Sequence, residues 1–572
     1  MESNLKTAAI AGYERVAAWA DLLDDINVYP VPDADTGRNL KISLAPIRDI
    51  LNNDHQITTH LLRAATGNSG NIAAAFFAEF LGAESIGQLP QKTAAANEKA
   101  WAAIADPQPG TMLSVFASLA KALTPGSAQS GLADIVSALT DSVKNTSSQL
   151  PELALAGVVD SGALGMFLFF EGFFKTLYAE NPTYRSPFEI FGEKLQLDNR
   201  PINSEPDQVC ISTLIKTETQ PERLSEKLQD LGSSVVTVRD GDHLKIHLHA
   251  EDLETVRREV ASWGNLVEWE ADPIAAPPQT VRSIPPENTT VHIVTDAAGS
   301  ITRQAADRLG ITLMDSYIIS NERACPETAL GPDELYARMR AGERTTTAQA
   351  SLFERRQNYE SICSRHAQVV YLCVGSAYTG IFQVAKTWQA EHSLGAGLTV
   401  LDSGAASGRL GLIARAVAAF ARQDKSLEQV VAFAGAAFET CQELVFLDQL
   451  KYLAAGGRVS KTGGFFGDLF RVKPIISPRT DGVAKVGVVR KQAQQLPFAC
   501  NYFESRIDPQ VKVRILLQYT DNQERVATEI QPTIQAAFPR AEISLVPLSL
   551  TSGVHMGPGT WAMAVLPALQ IQ

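Results

Sequence analysis

Over the first third of the chain, apolar side chains recur at three- and four-residue spacing, the period of a helix with one buried face. The pattern predicts helices over about 5–25, 38–53, 57–67, 69–84, 91–104, 110–124, 129–148 and 163–181. Between them stand Gly67-Asn68-Ser69-Gly70, Asp106-Pro107-Gln108-Pro109-Gly110 and Thr124-Pro125-Gly126-Ser127, which carry the chemistry of helix stops and starts. Strand-like alternation is not visible here, so residues 1–181 read as an all-α domain of eight helices. A polar stretch with three prolines between Pro187 and Pro206 then reads as a linker.

From Val209 the period switches. QVCISTLIK, SVVTVRD, HLKIHLHAE and LVEWEA are strand-like, while PERLSEKLQDLG and LETVRREVASWG are helical, so 208–271 reads as a small α+β module. The next twenty residues, ADPIAAPPQTVRSIPPENTT, hold five prolines and form a second, semi-rigid linker. Beyond it VHIVTDAAG, QVVYLCVGS and GLTVLDSG are apolar runs that each end at a Gly/Ser/Asp turn and lead into a helical pattern. That alternation predicts βαβ units and a buried parallel sheet, with ligands beyond the carboxyl ends of its strands. After KYLAAGGRVS it loosens into VGVVR, KVRILLQY and EISLVPLS, a second lobe. The third domain is expected over 290–572, with lobes about 290–440 and 441–572.

Bulk properties narrow the field. With 572 residues, 45% hydrophobic and 20% charged, the chain has the composition of a multidomain globular protein. A formal charge of −13 argues against nucleic-acid or anionic-membrane partners, which need basic patches, and leaves room only for a local phosphate site. Transient membrane contact is left open on other grounds. The six cysteines contain no CxxC pair and do not suggest a disulfide framework; the start MESNLKTAAIAGYERV lacks the features of a signal peptide. Gly165–Phe174 is too short and interrupted to span a bilayer. A cytoplasmic location is expected.

Two carboxylates one residue apart, Asp33 and Asp35 in PVPDADTGRNL, raise the first chemical question. Either they cap a helix, or their oxygens share a hard divalent cation, which Mg²⁺ sites achieve with one or two carboxylates plus phosphates. Gly67-Asn68-Ser69-Gly70-Asn71, Gly110-Thr111 and Asp160-Ser161-Gly162 each open a predicted helix, where free N–H groups favour an anion. No GxxxxGK[ST] occurs, which excludes a P-loop NTPase.

PVPDADTGRNL, GNSGN, PGTML and AGVVDSGALG, in this order, resemble the DhaL (Dak2) kinase domain, the nucleotide-binding part of dihydroxyacetone kinases and of bacterial fatty acid kinase. The resemblance covers residues 1–181 and implies an antiparallel eight-helix barrel. It further implies Mg²⁺ and ATP held by Asp33 and Asp35, with Thr36, Asn39, Gly67, Asn68, Ser69, Gly70, Thr111, Asp160 and Gly162 around the nucleotide. Asn27 joins Thr36 and Asn39 as a supporting polar group. The sequence departs from the family pattern at Ala34, Arg38 and Thr66, where Gly, Thr and Arg are common.

In the middle module, His247 and His249 lie two apart on one strand and share a face, with Cys210 on an earlier strand. The three are either surface groups or a metal site. The module resembles the middle domain of fatty acid kinase, whose Cys and later HxH imply a Zn²⁺ site on these three residues. The C-terminal half resembles the DegV family of fatty-acid-binding proteins through VHIVTDAAGSIT, RTTTAQAS, VGSAYTGIFQVAK, LTVLDSGAASGRLGL, LKYLAAGGRVSKTGGFFGDLFRVKPII and SGVHMGPGTWA. This implies an acyl chain buried between two α/β lobes, its carboxylate on Thr347 and Thr379, with His555 nearby and Arg458 near the mouth. Ala348, Ala350 and Ile381 stand where the family has Ser, Pro and Thr.

Together these resemblances predict an ATP- and Mg²⁺-dependent kinase that converts a bound fatty acid to an acyl phosphate. The carboxylate nucleophile is already ionised, so no general base is required. The implied partners are the fatty acid, an acyltransferase or acyl-carrier protein, and a second copy in a homodimer. Two other readings stand beside it: a non-catalytic lipid-binding or sensing protein that only binds nucleotide, and a kinase of the dihydroxyacetone type.

Overall fold

The computed structural model describes residues 1–124, 131–179, 182–197, 208–219, 221–274, 291–320, 323–392, 397–455 and 472–569. The chain forms two compact units, residues 1–282 with 322–324, and residues 283–321 with 325–572. The second expected linker falls largely outside the described residues, as does the GGRVSKTGGFFGDLFR segment with Arg458. The first is described as far as residue 197 and is not a free linker there: helix Pro187–Phe191 and the 3₁₀ turn Gly192–Leu195 bury Phe191 and Leu195 against the helical domain.

The first unit begins with helices, and its centre is Ser161–Tyr178. Every residue from Ser161 to Phe174 is buried, which explains why the run GMFLFFEGFF is apolar on all sides. Helix Ser3–Ala18 lies against it at close range, because Gly12 and Gly172 present no side chain to the contact. A Cβ at Gly12 would stand 2.7 Å from the carbonyl oxygen of Phe169. Phenylalanines fill the surrounding space, with the rings of Phe76 and Phe116 stacked at 3.9 Å. The one acid in the run, Glu171, is buried with Arg15 at 2.5 Å and Lys175 at 2.7 Å, so its charge is compensated.

The helix count differs from the expectation. Among the described residues, Ser3 to Tyr178 hold eleven α-helical segments rather than eight. The expected helix 5–25 breaks at Trp19, whose backbone (φ −104°, ψ 9°) leaves the helical region while its ring is fully buried. The expected helix 38–53 ends at Ser43, and Pro46, which has no N–H for an i−4 bond, opens a 3₁₀ turn over Ala45–Asp49. A short helix, Pro151–Ala156, is added between Pro at its first turn and Gly157 in the left-handed region (φ 72°).

The α+β module completes this unit. Its four strands lie in the order Ser233–Asp240, His243–Ala250, Val209–Lys216, Asn265–Pro273, all pairs antiparallel, with the expected helices Pro221–Leu231 and Leu253–Trp263. Its edge strand pairs with residues after helix Leu89–Ala102: Thr237 N–H donates to Ala103 O at 2.8 Å and Ala105 N–H to Val235 O at 3.2 Å. Leu62, Ala75, Ala103, Leu214, Val236 and Val238 form one apolar cluster across this seam.

The second unit confirms the parallel sheet. Leu398–Asp402, Val369–Cys373, His292–Asp296 and Ile311–Met314 are adjacent in that order, every pair parallel. A mixed six-stranded sheet follows: Gly482–Val489, Lys473–Arg479, Gln442–Phe446, Trp561–Pro567, Val513–Tyr519, Ala541–Pro547. Helix Ser407–Ala421 is buried along most of its length, and its core is continuous with Val370 and Leu372 of one sheet and Leu516 and Ala564 of the other. Among the described residues, no helix is long and apolar enough to cross a membrane.

Candidate functional sites

In the first unit a cavity of about 390 Å³ opens between the helical part and the α+β module. Asp33, Asp35, Thr36, Asn39, Gly67, Asn68, Ser69, Thr111, Asp160 and Gly162 all line it. Gly70 does not. It lies in the first turn of helix Gly67–Phe80, where a Cβ would meet Ser43 Oγ at 2.0 Å, so its role is close packing.

Asn27 organises the aspartate loop. Its Nδ2 donates to Val31 O at 2.7 Å and to Asp33 Oδ1 at 3.2 Å, and its Oδ1 accepts from Thr36 Oγ1 and from Ser161 Oγ at 3.4 Å. Ala34 between the aspartates has φ +59°, the conformation that glycine adopts without a Cβ penalty. Burial, then the neighbouring charge of Asp35, pushes the Asp33 carboxyl up to about 8. Two carboxylates so close in a partly dry site retain a proton unless a cation replaces it. The donor set therefore fits a hard dication.

The three helix starts prove unlike one another. Gly67 (φ +61°) brings the start of helix Gly67–Phe80 against Asn39, and Asn68 and Ser69 face the cavity. Asn68 Oδ1 is buried with no hydrogen-bond partner among the described residues. At the other two starts, Asp160 is itself the anion: its carboxylate accepts from Ala163 N–H at 2.7 Å and from Met112 and Gly162 N–H. Burial outweighs these bonds and raises the Asp160 carboxyl to about 7. Thr111 Oγ1 caps its own helix through Leu113 N–H at 3.4 Å. Of the departures from the family pattern, Arg38 and Thr66 are not part of the cavity lining. The Arg38 N–H bonds Asp24 Oδ1 at 3.1 Å, and the Thr66 N–H bonds Ser43 Oγ at 3.0 Å.

The opposite wall comes from the α+β module, a juxtaposition that no sequence pattern reveals. Cys210, Gly232, Ser233, Ser234 and His249 line the same cavity as the aspartates. Cys210 pairs with His249 across two antiparallel strands, two residues from His247. Ligand atoms of Cys210, His247 and His249 lie within 4.8 Å of one another, with Cys210 Sγ 3.8 Å from His247 Nδ1. Burial holds His247 neutral, and its Nε2 has no hydrogen-bond partner among the described residues. Burial first, then Asp35 and Asp33, pushes the Cys210 thiol up to about 12. A thiol and two imidazoles at this spacing fit a borderline-soft cation with an open coordination position.

The second unit holds a separate cavity of about 250 Å³. Ala298, Val374, Leu453, Ile476, Val483 and Met556 make much of it apolar; Thr347, Gln349, Thr379, Ser552 and His555 supply its polar groups. Thr347 Oγ1 is 3.2 Å from His555 Nε2, and Gln349 Nε2 donates to Thr379 Oγ1. Thr551, also at the cavity, donates its N–H at 2.8 Å and its hydroxyl at 2.7 Å to Glu327. Burial raises that carboxyl to about 7. Gln349 lies in the RTTTAQAS motif, though the resemblance implies no role for it, while Thr551 and Glu327 lie in none of the motifs. Only the fold reveals them.

Comparison with known proteins agrees with this division. Residues 30–175 match the DAK2 domain, 208–277 the FakA-like middle domain of fatty acid kinase, and 290–568 the family described as uncharacterised protein, DegV family. Uncharacterized proteins of Staphylococcus epidermidis (strain ATCC 12228 / FDA PCI 1200) and Staphylococcus saprophyticus are 29% and 30% identical over 290 residues. These matches cover 45% of this chain and 52% of each relative, so they span about half the length of the curated relatives. Among solved structures, a fatty-acid-binding DegV family protein from Thermus thermophilus is 22% identical with a TM-score of 0.46, covering 49% of this chain and 100% of that one. The Streptococcus pneumoniae fatty acid kinase (Fak) B3 protein loaded with linoleic acid is 18% identical with a TM-score of 0.41, covering 48% and 99%. One polypeptide thus joins a DAK2 domain, a middle domain of the fatty acid kinase type and a DegV-family domain.

Proposed function

We propose that the protein is an ATP- and Mg²⁺-dependent kinase that phosphorylates a fatty acid carried by the DegV-family half, giving an acyl phosphate. One observation carries the reading: Asp33 and Asp35 stand half-buried, with the charge of Asp35 opposing that of Asp33, at the edge of a cavity that also receives the start of helix Gly67–Phe80. The acyl carboxylate oxygen forms a bond to the terminal phosphorus of ATP, the bond to the bridging oxygen breaks, and ADP leaves with that electron pair. The chain's contribution is placement and charge compensation. Asn27 and Thr36 orient the Asp33 side, and the first N–H groups of helix Gly67–Phe80 receive phosphate oxygens. Asp160 ties two further helix starts to the cavity floor. Asp33 and Asp35 would hold Mg²⁺, which supplies positive charge to the phosphates.

In the second cavity Thr347, Thr379 and His555 receive the carboxylate of the fatty acid, and the apolar wall receives the chain. Cys210, His247 and His249 would hold Zn²⁺, a structural or polarising centre beside the first cavity. Acyl phosphates are reactive anhydrides, so an acyltransferase that consumes the product belongs to this proposal.

Incubation of the purified chain with ATP, Mg²⁺ and oleate or palmitate, with hydroxylamine present, tests it. Hydroxamate that forms with the native chain and is absent with Asp33→Ala is the expected result. Oleate binding without ADP release would overturn the kinase reading in favour of a lipid-binding protein, and ADP release on dihydroxyacetone alone would replace the substrate.

A further inference from the structure

Away from both cavities, the second unit carries a basic groove in a chain whose net charge is −13. This cleft of about 210 Å³ lies between helices Arg303–Leu309 and Ser407–Ala421 and strands Val513–Tyr519 and Ala541–Pro547. Arg308, Arg415 and Arg514 share it with a single carboxylate, Glu542, and with the hydroxyl of Ser544.

Two of the arginines have ordinary reasons to be there. Arg308 ends a helix, where a cation meets the carbonyl pole. Arg514 stands directly across the parallel ladder from Glu542, its Nε 3.8 Å from the carboxylate. Arg415 has no such reason. It lies in the middle of a buried helix, half-buried itself, with its Nη1 shielded from solvent and without a hydrogen-bond partner among the described residues. Burial disfavours its charge first and the charge of Arg308 next, and Glu542, shared with Arg514, offsets this only in part.

A shielded guanidinium N–H without an acceptor is costly, and a like-charged neighbour adds to the cost. Within the groove one carboxylate faces three guanidiniums, so the cleft keeps an excess of positive charge that suits a ligand with more than one negative charge. An oxyanion with several acceptor oxygens meets both needs, since guanidinium forks match phosphate geometry. We propose that this groove binds a phosphate group. Free phosphate compounds and phospholipid headgroups share that chemistry. The site uses no residue of the kinase proposal and stands or falls independently of it.

The test is calorimetric titration of inorganic phosphate into the full-length chain in a phosphate-free buffer, for the native protein, Arg415→Gln, Arg308→Gln and Arg356→Gln. Arg308 is exposed, so its variant leaves the core intact if Arg415→Gln folds poorly. Arg356 is an arginine of the same unit outside the groove, paired with Glu391. The expected result is a binding step weakened about tenfold or more by Arg415→Gln and Arg308→Gln and kept by Arg356→Gln, the scale of one lost charge-assisted hydrogen bond. Co-sedimentation with phosphatidylglycerol vesicles, against phosphatidylcholine, distinguishes the sources. Arg415-dependent vesicle binding identifies a headgroup, and phosphate binding without it identifies a small phosphate compound. Equal binding by all four proteins, or binding of neither probe, overturns the proposal.

Discussion

Asn27 donates a hydrogen bond to Asp33 at 3.2 Å while accepting from Thr36, so one buried amide sets the position of a carboxylate and of the helix start that follows it. Asn27→Ala should leave the helical fold intact and cost about 1–2 kcal/mol of stability, the price of buried groups left unpaired. Its larger effect should be on turnover, a fall of about ten- to a hundredfold in hydroxamate formation through lost placement of Asp33. Thermal melts read the first effect and the trapping assay the second.

Asp33 titrates near 8 in the folded chain, above its ordinary carboxylate value, because burial and Asp35 oppose its charge. The folded state therefore holds a proton that the unfolded state releases, and the contribution to stability falls as pH rises from about 4 to about 8. Without divalent cations, Asp33→Asn should be more stable than the native chain at pH 7.5 by on the order of 2 kcal/mol, with the gap closing as the pH is lowered. Mg²⁺ should raise the native melting temperature more at pH 8 than at pH 6, since it displaces that proton. Denaturation scans across this range check both signs.

Ala34 holds a left-handed backbone at φ +59° between the two aspartates. Ala34→Gly relieves the Cβ strain and adds some freedom to the unfolded chain, for a net gain of about 0.5–1 kcal/mol. A higher urea midpoint with an unchanged slope is the expected observation.

Cys210, His247 and His249 place ligand atoms within 4.8 Å of one another. Zn²⁺ added to chelator-treated protein should raise its melting temperature, and Cys210→Ala should lose that response. Competition with a chromophoric chelator should show about a hundredfold or greater loss of zinc affinity in the variant. An equal response in both proteins would show that zinc binds elsewhere.

In the second cavity, Thr347 contacts His555 at 3.2 Å on the polar side of an apolar pocket. Thr347→Val keeps the shape and removes the hydroxyl, so oleate affinity should fall about tenfold or more with little change in stability. Fluorescent fatty-acid displacement measures the first and a thermal melt the second.

Helix and strand identities are legible in the sequence because periodicity records which face of each element is buried, a local property. Element boundaries are less so. Trp19 ends a helix because its ring is drawn fully into the core, and nothing in its neighbours announces that. Pro46 does carry a breaker signal, but the apolar spacing around it continues across the break and masks it.

For the sites, residue types and spacing mark Asp33, Asp35, Cys210, His247 and His249 as candidates, because ligand preferences are properties of the side chains themselves, and the family resemblance chooses the ligand reading over a helix cap or surface groups. Which groups share a space is another matter. That Cys210 feels the charges of Asp33 and Asp35, that Asp160 occupies two helix starts open to an anion, and that Thr551 is tied to Glu327 more than two hundred residues away follow only from packing. Periodicity says which face is buried, but not which other face it meets. That choice is made by the fit of whole elements against each other, and it turns separate motifs into one cavity.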